Sequence, residues 1–163
     1  MDMTMDVIYK PIGIIHTSFN SLDEMPIQPT SDASGPGVVE IFPEFADALR
    51  DLEGFSHIYL LYHFHKVRQS LLVVTPFLDS KPHGIFATRA PTRPNPLGLS
   101  MVKLVRIDHI HVYVEGADVL NGTPLLDIKP FVPEFESVQD VRIGWLEQVR
   151  DKIRSQRSDD RFG

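Results

Sequence analysis

Short apolar runs separated by turn-forming residues predict a chain built mainly of β-strands. Residues 55–64 are dominated by aromatic, β-branched and leucine side chains, which favours a central strand. Similar runs predict further strands at residues 9–17, 38–41, 71–75, 84–88, 99–107, 109–115 and 125–129. No helix of crossover length alternates with these strands, so their spacing indicates an antiparallel barrel or sandwich.

Helical spacing is restricted to two parts of the chain. Pro43 begins a short predicted helix that ends at Gly54. Apolar residues also recur at helical spacing near the end of the chain, which predicts a C-terminal helix over about residues 144–157. The sequence therefore predicts a mainly β fold with one or two short helices and a C-terminal helix.

Between two of the predicted strands, residues 89–96 combine two arginines with three prolines. Proline fixes φ and lacks a backbone donor, so this stretch predicts a stiff, extended loop. Arg89 and Arg93 each present a planar fork of donors that suits a carboxylate or a phosphate. The loop is a candidate anion-binding site, and the alternative is a proline-rich turn with two solvated arginines.

A second cluster of polar residues spans positions 118–124. Asn121 and Gly122 form a turn dipeptide, which is typical of a tight hairpin. Alternatively, Asp118, Asn121 and Thr123 could hold the hydroxyls or the amino group of a nucleoside-sized ligand. The residues alone leave both interpretations open.

The bulk composition bounds the possible functions. The 163 residues suit one domain with a real core, and a chain without cysteine cannot use thiolate chemistry and is compatible with a cytoplasmic location. No apolar run could span a membrane, and the N-terminus has no signal-peptide pattern. The net charge is -6, yet residues 66–106 hold seven basic residues against one acid, Asp79. This basic stretch is a possible footprint for an anionic partner, unless folding disperses it.

Several familiar chemistries are missing from the sequence. It contains no GxGxxG after a strand, no P-loop and no GxSxG elbow, so a Rossmann enzyme is not expected. His63 and His65 would share one face of a strand, but no third ligand or HExxH motif accompanies them. We therefore expect no metal.

Several irregular blocks together resemble the TsaA-like, or TrmO, family. The match covers roughly residues 8–135 and is most specific in the long block at residues 84–100, GIFATRAPTRPNPLGLS. The other matching blocks, in the family's order, lie at residues 13–17, 26–28, 55–58, 65–66 and 121–131.

This resemblance implies a small antiparallel β-barrel that is not a Rossmann fold and binds S-adenosylmethionine, usually as a homodimer. It further implies methylation of N6 of threonylcarbamoyladenosine, next to the anticodon in tRNA. We accordingly expect a single domain over residues 1–163, with a core at about 8–135.

The resemblance also implies roles for individual residues. Arg89, His65 and Asp118 are the candidate catalytic residues, and Arg93 and Lys129 are candidates for binding the substrate. The implied cofactor contacts come from the first loop, the end of the central strand, the arginine-bearing block and the turn: Pro26, Ile27, Gln28, His65, Lys66, Arg89, Leu99, Asp118, Val119, Leu120, Asn121, Gly122 and Thr123. The base that accepts the substrate proton is left open between His65, Asp118 and Asp127.

Three positions depart from the family pattern. Asn121 stands where the family commonly has Asp, Ala90 where it has Ser and Phe131 where it has Tyr. Loss of a negative charge at position 121 would weaken any pairing with a cationic cofactor, and Asp118 could compensate. Two other classes of protein stay possible: a nucleic-acid-binding module without a cofactor, and a cofactor-binding domain without methyl transfer.

Overall fold

A closed antiparallel barrel organises the structure, a computed structural model that describes residues 5–24 and 35–152. Within these residues the strands are β1 (Gly13–Thr17), β2 (Gly35–Ile41), β3 (His57–His63), β4 (Val73–Val74), β5 (His83–Gly84), β6 (Leu97–Asp108), β7 (His111–Ala117) and β8 (Thr123–Pro130). The barrel runs β1-β2-β7-β6-β3-β8 and closes by pairing β8 with β1. The short strands β4 and β5 pair separately. The predicted antiparallel barrel is confirmed.

Side chains that alternate along the strands fill the barrel. On β3, Ile58, Leu60 and Tyr62 point inward, and the positions between them are half-buried. On β6, Val102 and Leu104 point inward. The β-branched and leucine side chains of the other strands complete the core: Ile15, Val39, Ile41, Val112, Val114 and Leu125. Because strand side chains alternate with period 2, the register of each pair decides which polar residues join this interior.

The strand directions place the connections that carry most of the candidate site residues at one end of the barrel, which we call the mouth. Strands β1, β3 and β7 end there, and β2, β6 and β8 begin there. The opposite end holds the β6–β7 turn and the 3₁₀ helix Pro43–Leu49, whose Phe45 and Leu49 pack against the core. This arrangement brings the arginine-bearing loop and the polar cluster at residues 118–122 to the same end.

Short helical segments lie between and after the strands. The predicted helix after Pro43 is two 3₁₀ helices, Pro43–Leu49 and Leu52–Gly54, separated where Asp51 adopts a left-handed φ of 67°. Other helical turns span Leu22–Glu24, Ile85–Ala87 and Pro133–Glu136 (α1). The predicted C-terminal helix is a 3₁₀ segment, Gly144–Lys152, broken at Val149, and positions 153–157 lie outside the described residues. The described residues contain no helix that is long and apolar enough to cross a membrane.

One strand prediction is wrong. Residues 84–88 were expected to form a strand, but only Gly84 belongs to one, and Ile85–Ala87 is a 3₁₀ helix. The Ile85 carbonyl accepts hydrogen bonds from the Thr88 backbone and hydroxyl, at 3.1 and 2.9 Å, instead of joining a ladder. The Ile85 side chain is buried, and burial of one apolar residue does not distinguish a tight turn from a strand.

Candidate functional site at the mouth of the barrel

Residues 118–122 cross the mouth of the barrel. The strands that they join, β7 and β8, are not neighbours in the sheet, since β7 pairs with β2 and β6 while β8 pairs with β1 and β3. The tight hairpin is therefore wrong as an interpretation, although a turn is present and Gly122 has the positive φ, 83°, that the dipeptide predicts. The local sequence specifies the turn, and the strand order makes residues 118–122 a connection across the mouth, which we call the bridge.

Hydrogen bonds hold this bridge to the end of β1. The Gly122 and Asn121 backbone N–H groups donate to the Ile15 and Phe19 carbonyls, at 2.9 and 2.8 Å. The Thr17 hydroxyl donates to the Val119 carbonyl at 2.7 Å. The bridge backbone is thus fixed before any ligand binds.

The amide of Asn121 uses both of its ends. Its Oδ1 accepts from the Thr17 backbone N–H at 3.2 Å, and its Nδ2 donates to Asn20 Oδ1 at 3.3 Å. A carboxylate could accept the first bond but could not donate the second. Asn121, which stands where the family commonly has Asp, therefore adds a hydrogen bond to the first loop.

Asp118 lies inside the mouth and is joined to two other buried side chains. Ser100 Oγ donates to Asp118 Oδ1 at 2.5 Å, and Tyr62 Oη lies 2.8 Å from Ser100 Oγ. Tyr62, Ser100 and Asp118 are 4%, 2% and 8% exposed, so the whole chain of contacts is shielded from solvent. The sequence analysis did not identify Tyr62 and Ser100 as site residues. A hydroxyl at an inward-facing position of a predicted strand could have indicated each of them.

Burial makes the charge of Asp118 costly. It raises the pKa of this carboxyl to about 6, although the Ser100 hydrogen bond and the positive charge of Arg89 both act to lower it. Burial also raises the pKa of Tyr62, helped by the negative charge of Asp118. A buried carboxyl with a pKa close to neutrality is what a proton acceptor requires.

The loop between β5 and β6 presents Arg89 and uses Arg93 to hold its own shape. Arg93 Nη1 donates to the carbonyls of Ile85, Thr88 and Ala90, at 3.1, 2.7 and 3.2 Å. Arg89 is exposed, and its charge acts on Asp118. The two arginines that the sequence treats alike therefore have different environments, one inside the loop and one at its surface.

The C-terminal segment supports the same loop. Trp145 Nε1 donates to the Ala87 carbonyl at 2.8 Å, and the indole stacks on His83 with 4.4 Å between ring centroids. His83 Nε2 in turn lies 2.8 Å from Asp79 Oδ2. The turn that precedes Arg89 is thus held by Arg93 on one side and by Trp145 on the other.

His65 and Lys66 follow β3 at the mouth. The Phe64 N–H donates to the Pro96 carbonyl at 2.8 Å and ties this segment to the start of β6. His65 is half-buried, and its pKa is lowered by burial and by the neighbouring charges of Lys66 and His63. The lowered pKa favours the neutral imidazole, which can both accept and donate a hydrogen bond.

The remaining predicted site residues are less central. Leu99 points outward from β6 and is 50% exposed, on the face opposite to Ser100. Lys129 lies six residues beyond Thr123 on β8, roughly 20 Å along the strand, and forms an ion pair with Asp127 at 2.9 Å. Pro26, Ile27 and Gln28 lie outside the described residues. In the mouth, the structure brings together the residues at positions 65, 66, 89 and 118–123.

No metal centre is found in the described part of the chain. No group of three histidine, aspartate or glutamate side chains there is arranged to hold an ion.

Comparison with known proteins supports the family assignment. The family model of the tRNA-methyltransferase O N-terminal domain matches residues 14–137. The chain belongs to the TrmO family. A probable S-adenosyl-L-methionine-binding protein of Pyrococcus abyssi is 48% identical to this TrmO-family chain over 162 residues, 99% of the chain and 88% of the relative.

Two longer relatives share the domain. The human tRNA (adenine(37)-N6)-methyltransferase is 34% identical over 145 residues, 85% of this chain but only 33% of the human one. A crystal structure of TrmO from Pseudomonas aeruginosa superposes with a TM-score of 0.71 and 37% identity, over 86% of this chain and 63% of that one. The TrmO-family chain thus spans about a third of the human protein and less than two thirds of the Pseudomonas one.

Proposed function

We propose that this protein transfers a methyl group from S-adenosylmethionine to N6 of threonylcarbamoyladenosine, next to the anticodon in tRNA. The names of the relatives support the cofactor, tRNA as the substrate and N6 of adenine 37 as the methyl acceptor. The single structural observation that carries the proposal is the buried carboxyl of Asp118, on which the charge of the exposed Arg89 acts. The expectation that the substrate adenosine carries a threonylcarbamoyl group is based on the family resemblance.

The residues at the mouth fit the charges of the cofactor. S-adenosylmethionine carries a carboxylate, an ammonium and a sulfonium, and it supplies the methyl group when bound. Arg89 is exposed and has no hydrogen-bond partner among the described residues, so its fork of donors suits the carboxylate. Asp118 offers a negative charge for the cationic groups, and His65 and Lys66 lie on the neighbouring connection. Backbone atoms of the bridge at 119–122 would line the rest of the pocket, together with Thr123.

The catalytic task of the protein is to orient the reacting nitrogen and to accept its proton. An amide-like exocyclic nitrogen is a poor nucleophile while it keeps its proton, so an acceptor beside it lowers the barrier. Of the three predicted bases, Asp118 is buried with a raised pKa, whereas Asp127 is held in an ion pair with Lys129. Burial lowers the pKa of the third candidate, His65, which makes its imidazole a weaker base. We therefore assign the acceptor role to Asp118. Arg89 stabilises the negative charge that develops on the carbamoyl oxygen.

Basic residues near the mouth are available to tRNA. Lys66, Arg68 and Arg89 are exposed on the connection between β3 and β6. Lys103, in contrast, faces Glu115 at 3.8 Å, and Arg106 stacks over the ring of Tyr113. Folding thus disperses part of the basic stretch. Arg93 and Lys129 remain candidates for binding the substrate, although the Nη1 of Arg93 is already engaged by its own loop.

Methyl transfer to two matched tRNAs tests the proposal. Labelled S-adenosylmethionine is incubated with the same tRNA carrying or lacking the threonylcarbamoyl group, and label is expected only in the modified one. Arg89→Ala should lower kcat/KM by at least a hundredfold, while Arg50→Ala, an exposed arginine at the opposite end of the barrel, should retain the wild-type value. Full activity of Arg89→Ala would refute the site.

The same experiment separates the two alternatives. Tight binding of the cofactor by calorimetry without any methylated product would indicate a binding domain that has lost transfer. Binding of tRNA that falls steeply with salt and needs no cofactor would indicate a nucleic-acid-binding module.

We further propose a homodimer and a cytoplasmic location. An outward row on β6 supports the dimer, because Leu97, Leu99, Met101 and Val105 are 47%, 50%, 36% and 50% exposed. Light scattering should give the mass of two chains, and Met101→Lys should shift it toward one. Cell fractionation checks the location.

A further inference from the structure

The hydrogen bonds of Asp118 continue into the interior of the barrel. Tyr62 points inward from β3 and Ser100 from β6, and Asp118 follows β7. The three side chains therefore join three different elements of the barrel across its interior. The hydroxyls are hydrogen-bonded, but burial still disfavours the charged form of Asp118, so this carboxyl is a candidate for a functional role.

The direction of the hydrogen bonds follows from the inventory of protons. An ionised carboxylate can only accept, and a serine hydroxyl has one proton. Ser100 must therefore donate to Asp118 Oδ1, across 2.5 Å, and it must accept the proton of Tyr62 Oη, across 2.8 Å. Ionisation of Asp118 thus sets a single orientation for both hydroxyls.

The fold makes room for this arrangement at a specific position. A Cβ at Gly98 would lie 2.1 Å from Tyr62 Cε2 and 2.5 Å from Tyr62 Cζ. Gly98 pairs with Tyr62 in the β3–β6 register, so the aromatic ring lies directly over the glycine. The position of the Tyr62 hydroxyl therefore depends on a residue without a side chain.

We propose that Ser100 and Tyr62 are positioning residues, which hold the Asp118 carboxylate in the orientation that accepts the substrate proton. This inference rests on the proposed function. As the N–CH3 bond forms, the S–CH3 bond breaks and its electron pair stays on sulfur. The N–H bond breaks, and its proton passes to Oδ2 of Asp118, the carboxylate oxygen that is not bonded to Ser100. The two hydroxyls keep their own protons.

The charged and titratable groups around Asp118 decide which group controls the pH dependence of the methyl-transfer rate. Arg89 acts on it from the loop before β6, and Tyr62 acts from β3. Neither changes charge near neutral pH, since an arginine stays protonated and the pKa of Tyr62 is raised. His65, on the connection after β3 at the same mouth, can change charge in this range, and burial lowers its pKa. The profile is therefore also measured in His65→Gln, and the acidic limb that persists in that variant should follow Asp118.

Single-turnover methyl transfer at saturating cofactor, measured from pH 5 to 9, tests the inference. In Ser100→Ala and Tyr62→Phe the acidic limb should move to higher pH, further for Ser100→Ala, with at least a tenfold lower rate constant at pH 6 and partial recovery at pH 8. Ser100→Thr, which keeps a hydroxyl, should lie closer to wild type. Tyr113→Phe is the matched control, because Tyr113 lies on the outer face of β7 under Arg106.

The outcomes separate this inference from the proposed function. If the wild-type protein methylates no tRNA, the proposed function fails. If the wild-type protein is active and both variants keep its pH profile, the proposed function stands and the positioning role is refuted. A uniform loss at every pH, accompanied by a lower Tm, would also refute it, because a purely structural contact would give that result.

Discussion

Replacing Gly98 by alanine tests whether the Tyr62 ring is held against the barrel wall. The added methyl group would lie 2.1, 2.5 and 2.8 Å from three ring atoms of Tyr62. These separations are far below van der Waals contact, so either the ring or strand β6 must move. The φ of Gly98 is not positive, and the effect therefore comes from space and not from backbone strain.

The expected cost combines two terms. Overpacking a filled core costs about 1–3 kcal/mol. Displacing the ring also breaks the bond from Tyr62 Oη to Ser100 Oγ, whose loss costs about 0.5–1.5 kcal/mol. The free energy of unfolding should therefore fall by roughly 2–4 kcal/mol, which corresponds to a decrease of roughly 5–15 °C in Tm for a chain of this length.

Urea denaturation in a double-mutant cycle measures the effect. In Tyr62→Leu the distal ring atoms are absent, so Gly98→Ala should cost less than 1 kcal/mol there. Gly84→Ala is the control, because an added Cβ meets no atom of the described chain within 4 Å. An equal cost of Gly98→Ala in both backgrounds would refute the proposed packing of Tyr62.

Three further predictions use the same structure. Burial raises the pKa of Asp118 from 3.8 to about 6, so between these pH values the folded chain holds a proton that the unfolded chain has released. Protonation of Asp118 therefore stabilises the folded state by on the order of 3 kcal/mol, in full below pH 4 and no longer by pH 7. The unfolding free energy of Asp118→Asn, measured by urea denaturation, should lack this decline with pH. Thr92→Val removes a buried hydroxyl that has no hydrogen-bond partner among the described residues and should raise the unfolding free energy by about 1 kcal/mol, whereas Thr123→Val, which loses a 2.7 Å bond to Leu120, should lower it by about 1 kcal/mol. Trp145→Ala should increase hydrogen exchange of the amides at 85–88, and unchanged exchange would show that the indole does not support the loop.

Local sequence predicted the barrel strands well because burial on one face leaves a period-2 pattern. The prediction for β3 differs from the structure only at its ends, and the β6–β7 pair and its turn are confirmed. The strand prediction at residues 84–88 failed since an apolar triplet also fits a 3₁₀ turn. The hairpin prediction failed because a dipeptide specifies a turn but not which strands it joins.

For the candidate site as well, some features could be predicted from the sequence and others could not. The motif blocks indicated Arg89 and His65, the polar cluster at residues 118–124 indicated Asp118, and the described structure gathers all three at one end of the barrel. The roles of these residues in cofactor binding and catalysis stay predictions. The sequence did not show that Arg93 would bind three carbonyls of its own loop while Arg89 would be exposed.

The sequence by itself determined the elements: the alternation of apolar residues, the stiff proline-rich loop and the glycine turn at position 122. These follow from backbone sterics and from side-chain period, which act over a few residues. Only the tertiary structure decided that Tyr62, Ser100 and Asp118 share one buried chain of hydrogen bonds. Their positions are 18 to 56 residues apart, and the closure of the barrel brings them within hydrogen-bonding distance.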